Sequence, residues 1–112
     1  MKMILAFVQP HRIDRVTRAV SHIKGFPGMT VSEARGFGKE KLQGEHDTRE
    51  QLTDFTPTAR IDIVVDNALV EAVLQAVIDS AHTGEHGDGK IFVLPVEQAI
   101  RVRTKERGPH VI

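Results

Sequence analysis

The chain has 112 residues, with 15 Lys and Arg against 15 Asp and Glu, 40% apolar content and no Cys, Tyr or Trp. That length fits one domain with a real core, and zero net charge excludes a broadly basic nucleic-acid binder. Without cysteine there are no disulfides, thiolate metal sites or Cys nucleophile. No apolar run approaches the roughly 18 residues that span a bilayer, and Met1–Val8 leads into Gln9-Pro10 without a small-residue cleavage pattern, so a soluble, cytoplasmic protein is expected.

Met1–Val8 is apolar on both alternating sets, Met3, Leu5, Phe7 and Ile4, Ala6, Val8, which suits a strand buried on both faces. Ile13, Val16, Ala19, Val20 and Ile23 recur at helical spacing and predict an amphipathic helix over 11–24. Gly25-Phe26-Pro27-Gly28 is a turn cluster, and Met29–Gly36 reads as a second strand. The stretch from about 38 to 58 is polar and poor in apolar residues. Connections so long in a small domain are functional or disordered, and a functional loop is the expectation. Ala59–Val65 alternates as a third strand, and Asp66-Asn67 supplies cap-type residues. Leu69, Val70, Val73, Leu74, Val77, Ile78 and Ala81 define a second helix. A glycine-rich turn over 83–89 leads to a strand from Ile91, ended near Pro95. Ile100 and Val102 alternate with Arg101 and Arg103 in a short final strand, and a flexible tail follows over about 105–112.

The order β-α-β, long loop, β-α-β over 1–112 predicts a single α+β domain of the ferredoxin-like, split-βαβ class. Two helices leave one sheet face uncovered. A symmetric oligomer is the simplest way to bury it.

The strongest chemical signal is Thr83-Gly84-Glu85-His86-Gly87-Asp88-Gly89-Lys90. Closely spaced glycines let consecutive backbone N–H groups approach one anion, and Lys90 adds a point charge suited to phosphate. Gly84-x-x-x-x-Gly89-Lys90 matches most of a P-loop. Ile91, however, stands where Ser or Thr should hold Mg²⁺, and the turn runs from helix to strand, the reverse order. A Walker-type NTPase is rejected, and an anion-binding turn survives. On the predicted last strand, Arg101 and Arg103 project to one face and offer planar forks for phosphate oxygens. Together these residues point to a polyphosphate. The six histidines raise a metal reading, with His82 and His86 four apart and His46 between Glu45 and Asp47. Three adjacent residues do not easily face one ion.

These strings resemble the PII signal-transduction family over nearly the whole chain: Gly28-Met29-Thr30-Val31, Gly36-Phe37-Gly38, Asp54-Phe55-Thr56-Pro57, the 83–93 segment, and Ile100-Arg101-Val102-Arg103-Thr104. The resemblance implies a homotrimer that binds ATP or ADP, possible Mg²⁺ included, in clefts between subunits. It implies no enzyme activity. Thr83, Gly87, Asp88, Gly89, Lys90, Arg101 and Arg103 match the family's phosphate-holding segments. Thr30, Gly38, Lys39 and Val64 sit where relatives line the adenine side and the loop base. The long loop, with Lys41, Glu45, Arg49 and Glu50, would be the T-loop that docks onto a membrane transporter or metabolic enzyme.

Several positions depart from the family pattern. Lys39-Glu40 replaces the usual Arg-Gln, Thr58 and Gln9 replace usual lysines, and Glu85 stands where lysine is frequent. The loop lacks tyrosine, so tyrosyl nucleotidylation is excluded. Glu40 can hold a cation but opposes a dicarboxylate, which argues against standard 2-oxoglutarate sensing. A metal-responsive or metal-tolerance trimer on the same fold, using His46, Glu45 and other loop residues such as Glu40, is the alternative.

Overall fold

A computed structural model describes residues 1–38 and 55–112. Four strands form one antiparallel sheet: β1 (Lys2–Val8), β2 (Thr30–Gly36), β3 (Thr56–Val65) and β4 (Gly89–Pro95). Their order across the sheet is β2-β3-β1-β4. β1 pairs with β3 from Lys2–Val65 to Val8–Ala59, and with β4 from Lys2–Pro95 to Val8–Gly89. Two helices, α1 (Ile13–Ser21) and α2 (Val70–Ala81), pack side by side. This is the expected ferredoxin-like βαββαβ arrangement.

The pleat sends alternate side chains to opposite faces. Ile4, Ala6 and Val8 of β1 and Ala59, Ile61, Ile63 and Val65 of β3 are buried on the helix side. They meet Val16 and Val20 of α1 and Val73, Val77 and Ala81 of α2, all buried. Among the described residues, no helix covers the other face. Register places Met3, Leu5 and Phe7 of β1 beside Val64 of β3 and Leu94 and Phe92 of β4 there. Phe92 remains 49% exposed and Leu94 37% exposed, more apolar surface than a solvated sheet face carries. Arg60 and Asp62 interrupt this face and pair at 3.1 Å.

Several boundaries differ from the sequence expectation. A 3-10 turn at Pro10–Arg12 precedes α1, which ends at Ser21, ahead of Gly25 at φ 85°. Asp66 makes no side-chain cap. Its carbonyl accepts from the Leu69 N–H at 2.9 Å and closes a 3-10 turn over Asn67–Leu69. β3 begins at Thr56, before the expected Ala59, because β2 extends past the end of β1 and pairs alone with Thr56–Thr58. Pro57, which lacks a donor, is tolerated on that one-sided stretch.

The expected last strand is corrected. Only Ile100 bridges, to Arg107, and a tight turn follows. The Lys105 N–H donates to the Arg101 carbonyl at 2.8 Å, with Lys105 at φ 63°. Alternation without a partner strand leaves Val102 91% exposed. Beyond it, Pro109–Val111 forms a further 3-10 turn where irregular backbone was expected. Among the described residues no helix is long and apolar enough to cross a membrane.

Ile61 is fully buried at the centre of the helix-facing layer. Truncation there leaves a cavity in a packed interior, and Ile61→Ala should lower the unfolding free energy by about 2–5 kcal/mol. Urea denaturation followed by circular dichroism checks this through a lower midpoint.

Candidate functional site

The 83–88 loop leaves α2 and enters β4, and its root is held from a distance. Arg12, on the 3-10 turn after β1, donates through Nε and Nη2 to the Ser80 carbonyl at 3.1 and 2.8 Å. Nη2 also reaches the His82 carbonyl at 3.4 Å. A guanidinium at a helix C-terminus satisfies orphan carbonyls and complements the negative end of the dipole. Arg12 thus fixes where the loop starts.

Inside the loop, Asp88 takes the role expected of an external anion. Its Oδ2 accepts from the N–H groups of Thr83 at 2.8 Å and Gly84 at 2.9 Å. Its Oδ1 accepts from the Thr83 hydroxyl, which in turn accepts from the Glu85 N–H at 3.2 Å. The Thr83 hydroxyl and amide above all, then the Gly84 amide and His82, hold the Asp88 carboxyl down to about 2, against the opposing effect of burial. The first amides of the turn are therefore engaged internally, and the loop is organised without a ligand. Gly89 ends it at φ 104°, tight against β1. A Cβ there would overlap the Phe7 carbonyl oxygen and lie 2.8 Å from its carbon, so only glycine lets β4 pair with β1 at this point.

Beside the loop lies a groove of about 440 Å³ between α2 and β4. Leu74, Ile78, Ile91 and Val93 form an apolar wall, and His82, Asp88, Gly89 and Lys90 form a polar end. Lys90 is exposed. The groove can take a flat apolar group against the wall and an anion at the polar end.

The remaining expected site residues stand elsewhere in the chain. Thr30 opens β2, opposite Asp62, and Gly38 lies just past the end of β2. β2 and β4 are opposite sheet edges, three strand spacings or about 14 Å apart. Val64 lies on the uncovered face of β3, at the end of the sheet away from the glycine turn. Arg101 and Arg103 follow the C-terminal end of β4, whereas the glycine turn precedes its N-terminal end, and seven residues of strand separate them, about 20 Å. Arg101 pairs with Glu106 at 3.6 Å, and its N–H donates to the Glu106 carbonyl at 2.9 Å. Arg103 is exposed on the turn. Thr104 above all, then His110 and Arg101, hold the Glu106 carboxyl below its usual range.

Lys39, Glu40, Lys41, Glu45, His46, Arg49 and Glu50 lie outside the described residues. The segment that contains them is bracketed by Phe37 and Phe55, whose rings meet at 5.7 Å. Among the described residues no group of three His, Asp or Glu side chains could hold a metal ion. Sequence reasoning missed Arg12 and Glu106. Nothing local links Arg12 to Ser80, 68 residues away, whereas Thr104 and His110, close to Glu106 in the chain, could have marked it.

A model of the family described as nitrogen regulatory protein P-II matches residues 1–106. The chain belongs to this family. It is 44% identical to the nitrogen regulatory protein P-II of Azospirillum brasilense and 45% identical to that of Rhodospirillum rubrum, each match covering 100% of both chains. The solved structure of Arabidopsis thaliana PII bound to citrate superposes with a TM-score of 0.80 at 44% identity, covering 97% of this chain and 89% of that one. The family match spans the glycine turn and both arginines.

The internal carboxylate has a pH signature. A carboxyl lowered from 3.8 to about 2 adds stability that is complete above 3.8 and lost as pH falls through about 2. NMR titration should place the Asp88 midpoint near that lower value. Asp88→Asn should speed amide exchange at Thr83 and Gly84, and a midpoint close to an ordinary carboxyl's would contradict the contact.

Proposed function

We propose that this P-II chain acts as a cytoplasmic homotrimer that binds ATP or ADP between copies and reports the bound nucleotide to a partner. The observation that carries the reading is the separation of the candidate residues within one protomer. Lys90 and the glycine turn stand at one end of β4, Arg101 and Arg103 beyond the other, and Thr30 and Gly38 on the opposite edge. A second copy can bring a complementary set to the groove. The apolar face of Met3, Leu5, Phe7, Phe92 and Leu94 supplies the surface through which copies associate.

In this reading the adenine and ribose lie against the apolar wall, and the phosphates meet Lys90, Gly87 and Gly89 amides, and Arg101 and Arg103 of a neighbouring copy. Charge-assisted contacts of this kind contribute roughly 1.5–3 kcal/mol each. ATP and ADP differ by one phosphate, so a switch needs a group that only the longer ligand touches. Gly38 and Lys39, at the base of the 38–58 segment, are the candidates, with Mg²⁺ bridging where it binds. The segment then presents one shape or another to a transporter or metabolic enzyme, and no catalysis is needed. The citrate-bound relative supports anionic effectors in the family. Standard 2-oxoglutarate sensing fits poorly here: the Thr58 hydroxyl donates to the Val8 carbonyl at 3.0 Å and carries no charge to pair with a carboxylate.

Isothermal titration of the intact protein should show ATP and ADP binding, with no added heat from 2-oxoglutarate and Mg²⁺. Lys90→Ala and Arg103→Ala should each weaken binding about 10–100-fold while the oligomer stays intact. Unchanged affinity in both variants would refute the site. A charge at the centre of the proposed interface should break it: Phe92→Asp should shift the mass from trimer to monomer in light scattering, and a monomeric wild-type protein would overturn the assembly.

A further inference from the structure

His82 has a backbone held on both sides and a ring that lines the polar end of the groove. Its N–H donates to the Ile78 carbonyl at 3.0 Å, and its own carbonyl accepts from Arg12. The imidazole is 71% exposed and projects into the polar end of the groove, with Nδ1 3.7 Å from Asp88 Oδ2. We propose that His82 is a further anion ligand of this groove, and that its protonation tightens a phosphate-bearing ligand. The inference rests on the nucleotide reading above and adds a residue and a pH dependence to it.

The charges around the ring are few. Asp88 Oδ2 faces Nδ1 at 3.7 Å. Arg12, from the 3-10 turn after β1, reaches the His82 carbonyl, Lys90, from β4, lines the same groove, and Glu85 and His86 are loop neighbours. Asp88 stays ionised across the range in which imidazoles titrate. It is already held by the Thr83 and Gly84 amides, so an imidazolium beside it keeps N–H capacity for an incoming oxygen. Binding then takes up a proton, and linkage requires affinity to rise as pH falls.

The test is calorimetric titration of ADP into the full-length protein at about pH 6 and about pH 8, on either side of the imidazole range. Between these conditions the wild type should gain about three- to tenfold over His82→Gln, the size of one solvent-exposed charge-assisted contact. His82→Lys, a permanent cation, should bind at the higher pH as tightly as the wild type does at the lower. Repeating the wild-type titration in two buffers of different ionisation enthalpy should reveal net proton uptake that His82→Gln lacks. Identical pH dependence in wild type and His82→Gln overturns the proposal, as does a His82→Lys variant no tighter than wild type at the higher pH. A wild type that binds no ADP at either pH removes the nucleotide reading itself, and this inference with it.

Discussion

β1 carries ladders on both sides, to β3 and to β4, over its full length, and this double pairing positions everything else. It orients one face of alternating residues toward two helices and, among the described residues, leaves the other without a covering element. It also sets β2 and β4 as the two edges, so the chemistry-bearing segments at the ends of those strands are held apart. The rigidity of β1 thus separates the candidate residues. Under the proposed reading, a second copy would be the economical remedy for both the open face and the divided site.

The electrostatics of the glycine turn are built in two layers. The inner layer is complete within the chain: Asp88 neutralises the amides of Thr83 and Gly84, and Arg12 neutralises the carbonyl end of α2. These contacts do not need ligand, so they preorganise the loop and reduce the ordering cost of binding. The outer layer is Lys90, exposed and set over the same groove. In a chain of zero net charge, attraction for a polyphosphate has to come from such local placement. The same division explains why a glycine turn that resembles a P-loop in sequence behaves differently. In this turn a carboxylate from the protein occupies amides that a P-loop would offer to a nucleotide.

Periodicity made the core legible. The alternation of Ala59, Ile61, Ile63 and Val65, and the helical spacing of Val16 with Val20 and Val73 with Val77, identify the residues that are buried. It also showed that one face would lack a helix. The misreading at Arg101 and Arg103 has a clear cause. Alternation describes side-chain direction on a strand only when a neighbouring strand exists, and here Lys105 in the left-handed region turns the chain back after one bridge. Asp88 was named from the resemblance as a phosphate-holding residue, but its internal role, like that of Arg12, was illegible for a different reason. Their roles are set by which carbonyls and amides tertiary packing brings near them, and composition carries no trace of that. Residues 39–54, most of the stretch of about 38–58 read from sequence as the partner-docking loop, lie outside the described residues.

The magnitudes favour a switch over a permanent grip. The wall residues Ile78 and Val93 are 42% and 44% exposed in one protomer, so under the proposed reading part of the apolar gain from an adenine ring would await a neighbouring copy. The phosphate contacts are exposed and each contributes modestly after solvent screening. Affinity distributed in this way over several weak groups from two chains is sensitive to the loss of any one of them. Under the proposed nucleotide reading, a single phosphate more or less would then change occupancy and the contacts at Gly38. Phe37 and Phe55, whose rings meet at 5.7 Å, link the end of β2 to the start of β3 beside Gly38, so under the proposed reading a contact made at Gly38 would be felt at both strands.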